Sequence, residues 1–306
     1  MLTSNMEQVA SIDTTISATT RASSGRSVVG AALSYAGRPV ELWRRGERYQ
    51  APGWSMLRRE HFVVEGAKSL SRLVGLADVP DLDLFPDQFP GRPEVTFRGG
   101  SESALQMFVL WLLGWPVRLG WVRSMAPLAG LLAPLQQATA LLGGQRSAMG
   151  VEVTGTAQGK PLCRRWDLIA EAGQGQEIPT LAAQLLARRL ANGELAPGAR
   201  DASREFALED FASLLNELPV RYGTSEKPFK PLYHRVLGPR FDRLAKPLQA
   251  LHAPLAPTLA RGSAQVSRGR NPLARLIGAI MRFPPAGEYS LMVSFDPSRG
   301  RERWIR

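Results

Sequence analysis

Met149 to Gly198 reads MGVEVTGTAQGKPLCRRWDLIAEAGQGQEIPTLAAQLLARRLANGELAPG, and the reading of this run decides the fold. Val151 and Val153, then Leu162, Trp166 and Leu168, recur at roughly every second place on either side of the turn-forming residues Gly155 to Pro161. Alternation with period two is the mark of a strand, so the run predicts a β-hairpin. After Ala170 come Gly173 and Gly175, which tolerate positive φ, and Pro179, whose fixed φ suits a first helical turn. Leu181, Leu185, Leu186 and Leu190 then fall at steps of three and four. Arg188 and Arg189 occupy the last turns and Gly193 follows as a stop, so a helix is predicted from about Pro179. Two strands, a glycine corner and an amphipathic helix define an α+β unit.

Working outward, Ser27–Tyr35 has the apolar spacing of a short helix stopped by Gly37. Val40, Leu42 and Trp43 predict a strand, Arg44 to Arg48 a polar turn, and Tyr49 to Trp54 a second strand. Asp78 to Pro86 carries three aspartates among prolines and reads as a solvated loop rather than an acid–base pair. Val95 to Arg98 predicts a strand running into Gly99-Gly100-Ser101-Glu102, Phe206 to Leu218 another amphipathic helix, and Val220 to Tyr222 a closing strand. Met1 to Ser27 is rich in Ser and Thr and opens without a strand, glycine loop and helix in succession.

Ala104 to Gly144 is mostly apolar, yet Pro116 and Arg118 interrupt it before the ~20 residues that a bilayer span needs. Trp111, Trp115 and Trp121 stand beside Arg118 and Arg123, the aromatic and cationic set favoured at a lipid interface. Two placements are open: a helical pair covering the sheet or an oligomer partner, and a pair lying in a membrane surface. Both follow from a surface too apolar to be left in water.

The 306 residues, 44% hydrophobic and 21% charged, suffice for two domains with a core. The net charge of +11 lies wholly in residues 227–306, where 15 Lys and Arg face 4 Asp and Glu; the preceding residues balance at 23 of each sign. A neutral body of residues 1–226 and a basic unit of 227–306, joined near Thr224 to Pro228, are therefore expected. Such a basic face is most simply solvated surface. No helix-turn-helix or aromatic platform accompanies the charge, so nucleic acid is not an expected partner. The single cysteine excludes an internal disulfide, and the first thirty residues show no apolar signal core, which fits a cytoplasmic protein, free or peripheral to a membrane.

GVEVTGTAQGKPLCRRWDLIAEAGQGQEIPTLAAQLLARRLANGELAPGA resembles the part of the saccharopine dehydrogenase-like oxidoreductases that follows their dinucleotide-binding domain. GRSVVGAALSYAGRPVELWRRGE, DVPDLDLFPDQFP and VTFRGGSE resemble the same family, and the likeness spans about Ile12 to Thr224. YHRVLGPRFDRLAKPLQALH and SRGRNPLARLIGAIMRFPPAGE resemble the first part of an uncharacterised bacterial domain attached behind such proteins. The resemblance implies hydride transfer between NAD(P) and an amino-acid-like or carbonyl substrate. Neither G-x-G-x-x-G nor G-x-x-x-x-G-K-[ST] occurs, so no cofactor-binding residues are expected in this chain. The expectation is a fragment, or a protein without its cofactor half: a substrate-side and oligomerisation portion, inactive alone.

The fold expected is α+β: a mixed or antiparallel sheet covered by helices, a helical hairpin, and a second small basic unit, incomplete because a strand at Glu302 to Arg306 has only begun. Arg98 and Glu102 can face a ligand from a strand end, or pair with each other. Gly173, Gly175 and Glu177 sit at a helix start, which offers N–H groups to an anion, or else forms a simple capped turn. The three histidines are scattered: His61 reads as a surface or packing group, His234 and His252 on basic helices as surface groups, and Cys163 as a small hydrophobe within a strand.

Overall fold

The computed structural model describes residues 2–20, 25–44, 47–140, 143–202, 205–253, 255, 258–269, 271–280, 283–298 and 301–305. The chain separates into two compact units, residues 1–228 and 229–306.

The first unit is built on seven strands: β1 (Gln8–Ala18), β4 (Arg58–Phe62), β5 (Leu70–Leu76), β6 (Glu94–Ser101), β7 (Ser147–Ala157), β8 (Lys160–Ala170) and β9 (Val220–Pro228). Their order is β4-β5-β6-β1-β7-β8-β9, and β2 (Pro39–Arg44) pairs with β3 (Glu47–Pro52) apart from them. Only the β1–β6 pairing is parallel among these, so the sheet is mixed, as the sequence leads one to expect. The predicted hairpin is β7–β8, longer and tighter than its spacing implies. Ala157 pairs with Lys160, and Gln158 and Gly159 both have positive φ, as a two-residue type I′ turn requires.

Helices cover the sheet. α1 (Arg26–Tyr35), α2 (Asp81–Gln88), α3 (Ala104–Arg118), α4 (Ala129–Ala140), α5 (Ile178–Ala191) and α6 (Ala212–Asn216) belong to this unit. α5 and α6 lay Leu181, Leu214 and Leu215 on Trp166, Leu168 and Ala170 of β8. α3 and α4 turn one side to α1: Leu110, Leu113, Val117 and Leu132 pack around Leu33, Met125 and Ala129. Gly37, at φ +73°, lets α1 meet α3 closely, because a Cβ there would lie 2.1 Å from the Gly114 carbonyl oxygen.

One expectation is overturned. The stretch from Asp78 to Pro86 is not a loop: α2 occupies Asp81–Gln88, with Asp81 and Asp83 in its first turn, where the helix dipole favours negative charge. In the Ser- and Thr-rich opening stretch, Gln8–Ala18 is the central strand of the large sheet. The Thr224–Pro228 join lies within β9, which runs well past the expected Tyr222.

The second unit comprises α7 (Leu232–Leu237), α8 (Lys246–His252), β10 (Thr258–Val266), α9 (Pro272–Ile280), β11 (Gly287–Ser298) and β12 (Arg301–Ile305). Its strands form an antiparallel sheet in the order β10-β11-β12. His252 is not a simple surface group: its ring lies 4.3 Å from Tyr233 and 6.5 Å from Phe295, centroid to centroid.

Candidate functional site

The two faces of the large sheet differ in chemistry. Strand register places Thr15, Arg98, Gly150 and Asp167 in one cross-strand row and Asp13, Thr96, Glu152 and Arg165 in the next. Directly paired residues point to the same side, so both rows share one face. The sheet curls until β4 lies against β7 and β8, which puts Phe62 on Ala148 and Ile169 and brings Arg58 and Glu60 to the same rows.

An unbroken chain of alternating charge results. Arg98 donates through Nη1 to both Asp13 oxygens at 2.7 and 2.8 Å. Arg58 bridges Asp13 at 2.7 Å and Glu60 at 3.0 Å. Arg165 reaches Glu60 at 2.9 Å, grips Asp167 through Nε and Nη2 at 2.7 and 2.6 Å, and faces Glu152 at 3.5 Å. Burial raises the Glu60 carboxyl, whereas for Asp13 the guanidinium groups of Arg58 and Arg98 outweigh burial and hold its carboxyl below the ordinary range. Among the described residues, three arginines and four carboxylates meet here. Burial, joined by the negative charge of Asp13, pushes Glu152 up to about 7. Of these residues only Arg98 is singled out by the sequence alone. The signal that locates the rest is the step of two in Arg58-x-Glu60 and Arg165-x-Asp167, which sets opposite charges on one face of a strand.

Arg98 and Glu102 do not pair with each other. Arg98 is buried against Asp13, while Glu102 lies at the end of β6 and ties several segments together. It accepts from the Gly144 N–H at 2.8 Å and the Thr20 hydroxyl at 3.2 Å, and it meets Arg72 at 3.4 Å.

At the corner before α5, the Gly173 N–H donates to the Gln145 carbonyl at 2.7 Å and the Glu177 N–H to the Gln174 carbonyl at 3.0 Å. A Cβ on Gly175 would lie 2.4 Å from that of Ser147, so glycine there answers a close approach of the corner to β7. The Glu177 side chain makes no capping bond. Trp111 packs edge-on to Trp115 at 5.8 Å, and Trp115 and Trp121 are exposed.

Cys163, on the polar face, has its thiol pushed up to about 12, by burial first and then by Glu152. A thiol so rarely ionised is a poor nucleophile. It should react with a maleimide at pH 7.5 far more slowly in the native chain than in urea, as mass spectrometry would record.

The opposite face is apolar, and helices leave part of it open. Between α2 on one side and α5 and α6 on the other lies a cleft of about 630 Å³. Ile12, Ile16, Met149, Val151, Trp166 and Leu168 form its floor, with Phe85, Phe89, Ile178 and Phe211 among its walls. Ile16 is 39% exposed there, although it belongs to the central strand. The volume falls within the range of small-molecule sites. Among the described residues no group of three or more metal-ligating side chains converges.

Comparison with models of known protein families gives no match for this chain, and comparison with curated proteins gives none either.

Proposed function

We propose that residues 1–228 are the substrate-side portion of a saccharopine dehydrogenase-like NAD(P)-dependent oxidoreductase, and that the cleft over β1, β7 and β8 receives the apolar part of its substrate. The observation that carries this reading is the 630 Å³ apolar cleft over the central strands of the sheet. Burying a half-exposed isoleucine and its neighbours against a hydrocarbon group contributes about 25 cal/mol for each Å² of apolar surface removed from water. The residues that follow β1 read Thr19-Thr20-Arg21-Ala22-Ser23-Ser24-Gly25, with a single glycine. A cradle for pyrophosphate draws on several glycines directly after a strand. The cofactor half of the reaction is accordingly assigned to a separate nucleotide-binding unit, and the chain alone is expected to be inactive.

Calorimetry with medium-chain carboxylic acids and aldehydes tests this. The chain should bind them with dissociation constants in the micromolar range, and Ile16→Glu, which places a charge on the cleft floor, should weaken binding at least tenfold by an order-of-magnitude estimate. Equal binding by the variant would refute the cleft as the site. Micromolar binding of NADPH by the chain alone would refute its assignment as a substrate-side portion.

A further inference from the structure

We propose that α3 and the turn after it dock in the plane of an anionic lipid bilayer. α3 is divided lengthwise. Met107, Leu113 and Val117 turn inward, while Leu105, Phe108, Leu112, Trp115 and Leu119 follow at steps of three, four, three and four and are all at least 38% exposed. Positions so spaced lie along one side of a helix. Gly120, at φ +76°, then turns the chain and presents Trp121, 74% exposed, followed by Val122. A continuous apolar stripe of this kind on a water-soluble surface marks an interaction site.

Charge selects the occupant. No Asp or Glu occurs between Glu102 and Glu152, whereas Arg118 and Arg123 are both exposed at the tryptophan end of the stripe. The Arg118 guanidinium lies 4.5 Å above the Trp115 ring. Lipid phosphates and serine headgroups complement this set, and tryptophan is the residue favoured at headgroup depth. A second copy seated on the same stripe would instead bring four arginines together with no carboxylate from the segment to balance them. The 15 residues of α3 extend about 22 Å, less than the ~30 Å hydrocarbon core, and among the described residues no helix is long and apolar enough to cross a membrane. The helix therefore lies along the surface with its stripe downward.

Flotation of the full chain with phosphatidylcholine vesicles, with and without phosphatidylserine, tests the proposal. The chain should float with the anionic vesicles at low salt, its tryptophan emission shifting to the blue. Arg118→Gln and Arg123→Gln should each weaken partitioning about fivefold. Leu112→Ser should weaken it further with an unchanged circular dichroism spectrum. A chain that stays in the soluble fraction, or floats equally without phosphatidylserine, overturns the proposal. So does a concentration-dependent dimer that Leu112→Glu dissolves. Neither result bears on ligand binding in the cleft, which calorimetry reads without lipid.

Discussion

Arg165→Met is expected to destabilise the larger unit by about 3–5 kcal/mol, the range for removing one partner from a buried ion network. The size follows from what is left behind. Glu60 is fully buried and would lose its ion pair with Arg165, while Asp167, 4% exposed, would lose both of the strong hydrogen bonds that Arg165 gives it. Methionine fills the volume of the aliphatic stem but neutralises none of the three carboxylates around it. Arg165→Lys should fall between wild type and methionine, because it keeps the charge and loses the fork that holds both Asp167 oxygens. A built-in comparison is Arg48→Met. That side chain pairs with Glu41 at 3.1 Å, yet the two are 68% and 49% exposed, so its loss should change stability by less than about 1 kcal/mol. Urea titration followed by tryptophan emission is suited to the measurement, since six of the seven tryptophans lie in the larger unit. Equal midpoints for the two methionine variants would show that the ladder contributes no more than surface charge.

The same ladder explains which parts of the fold are legible in the residues. The β7–β8 hairpin is readable because one of its faces is apolar: Val151, Val153, Trp166 and Leu168 all serve the cleft side. β1 is not readable in that way. Its sequence QVASIDTTISA alternates Ile12 and Ile16 with Ser11, Asp13, Thr15 and Ser17, and the second set is turned into a polar interior. Polar residues are ordinarily solvated, so the apolar alternation that marks a half-buried strand is weak here. β4, reading RREHF, is obscured for the same reason, because Glu60 has no exposed surface and is held by Arg58 and Arg165. α2 illustrates a different obstacle. Its aspartates and prolines have the local chemistry of a turn, and the helix forms because Leu82 and Pro86 are buried while the acids take the first turn. Of the candidate site residues, Trp115 and Trp121 are exposed, and Arg98 belongs to the ladder rather than to an open strand end. The cleft is beyond reach from spacing alone, since it depends on where helices distant in sequence leave the sheet uncovered.

Glu152→Gln should stabilise the chain at pH 8 and leave it nearly unchanged at pH 4. The ladder brings Asp13, Glu60, Glu152 and Asp167 together with Arg58, Arg98 and Arg165, so full ionisation sets several buried negative charges close to one another. Glu152 lies 3.5 Å from Arg165, and burial with the nearby Asp13 raises it from the ordinary 4.5 to about 7. In the unfolded chain that proton leaves near the ordinary value, so between about pH 4.5 and 7 the native state binds one proton more than the unfolded state. The contribution is fully present below that window and declines as pH rises through it. Asp13 acts with the opposite sign. Its carboxyl is lowered by Arg58 and Arg98, so its contribution is present above the ordinary value of 3.8 and disappears as the pH falls through its native value. A tenfold difference in proton affinity between the folded and unfolded chain corresponds to about 1.36 kcal/mol, and allowing for the partial exposure of Glu152 the gain for the glutamine variant at pH 8 is about 2 kcal/mol. Urea midpoints at pH 4, 5.5 and 8 separate the groups: wild type should lose stability from 5.5 to 8 where the variant does not, and both should weaken together below pH 4. If the variant retained the wild-type decline, the shared proton would have to reside on Glu60, the other carboxyl of the ladder that burial raises.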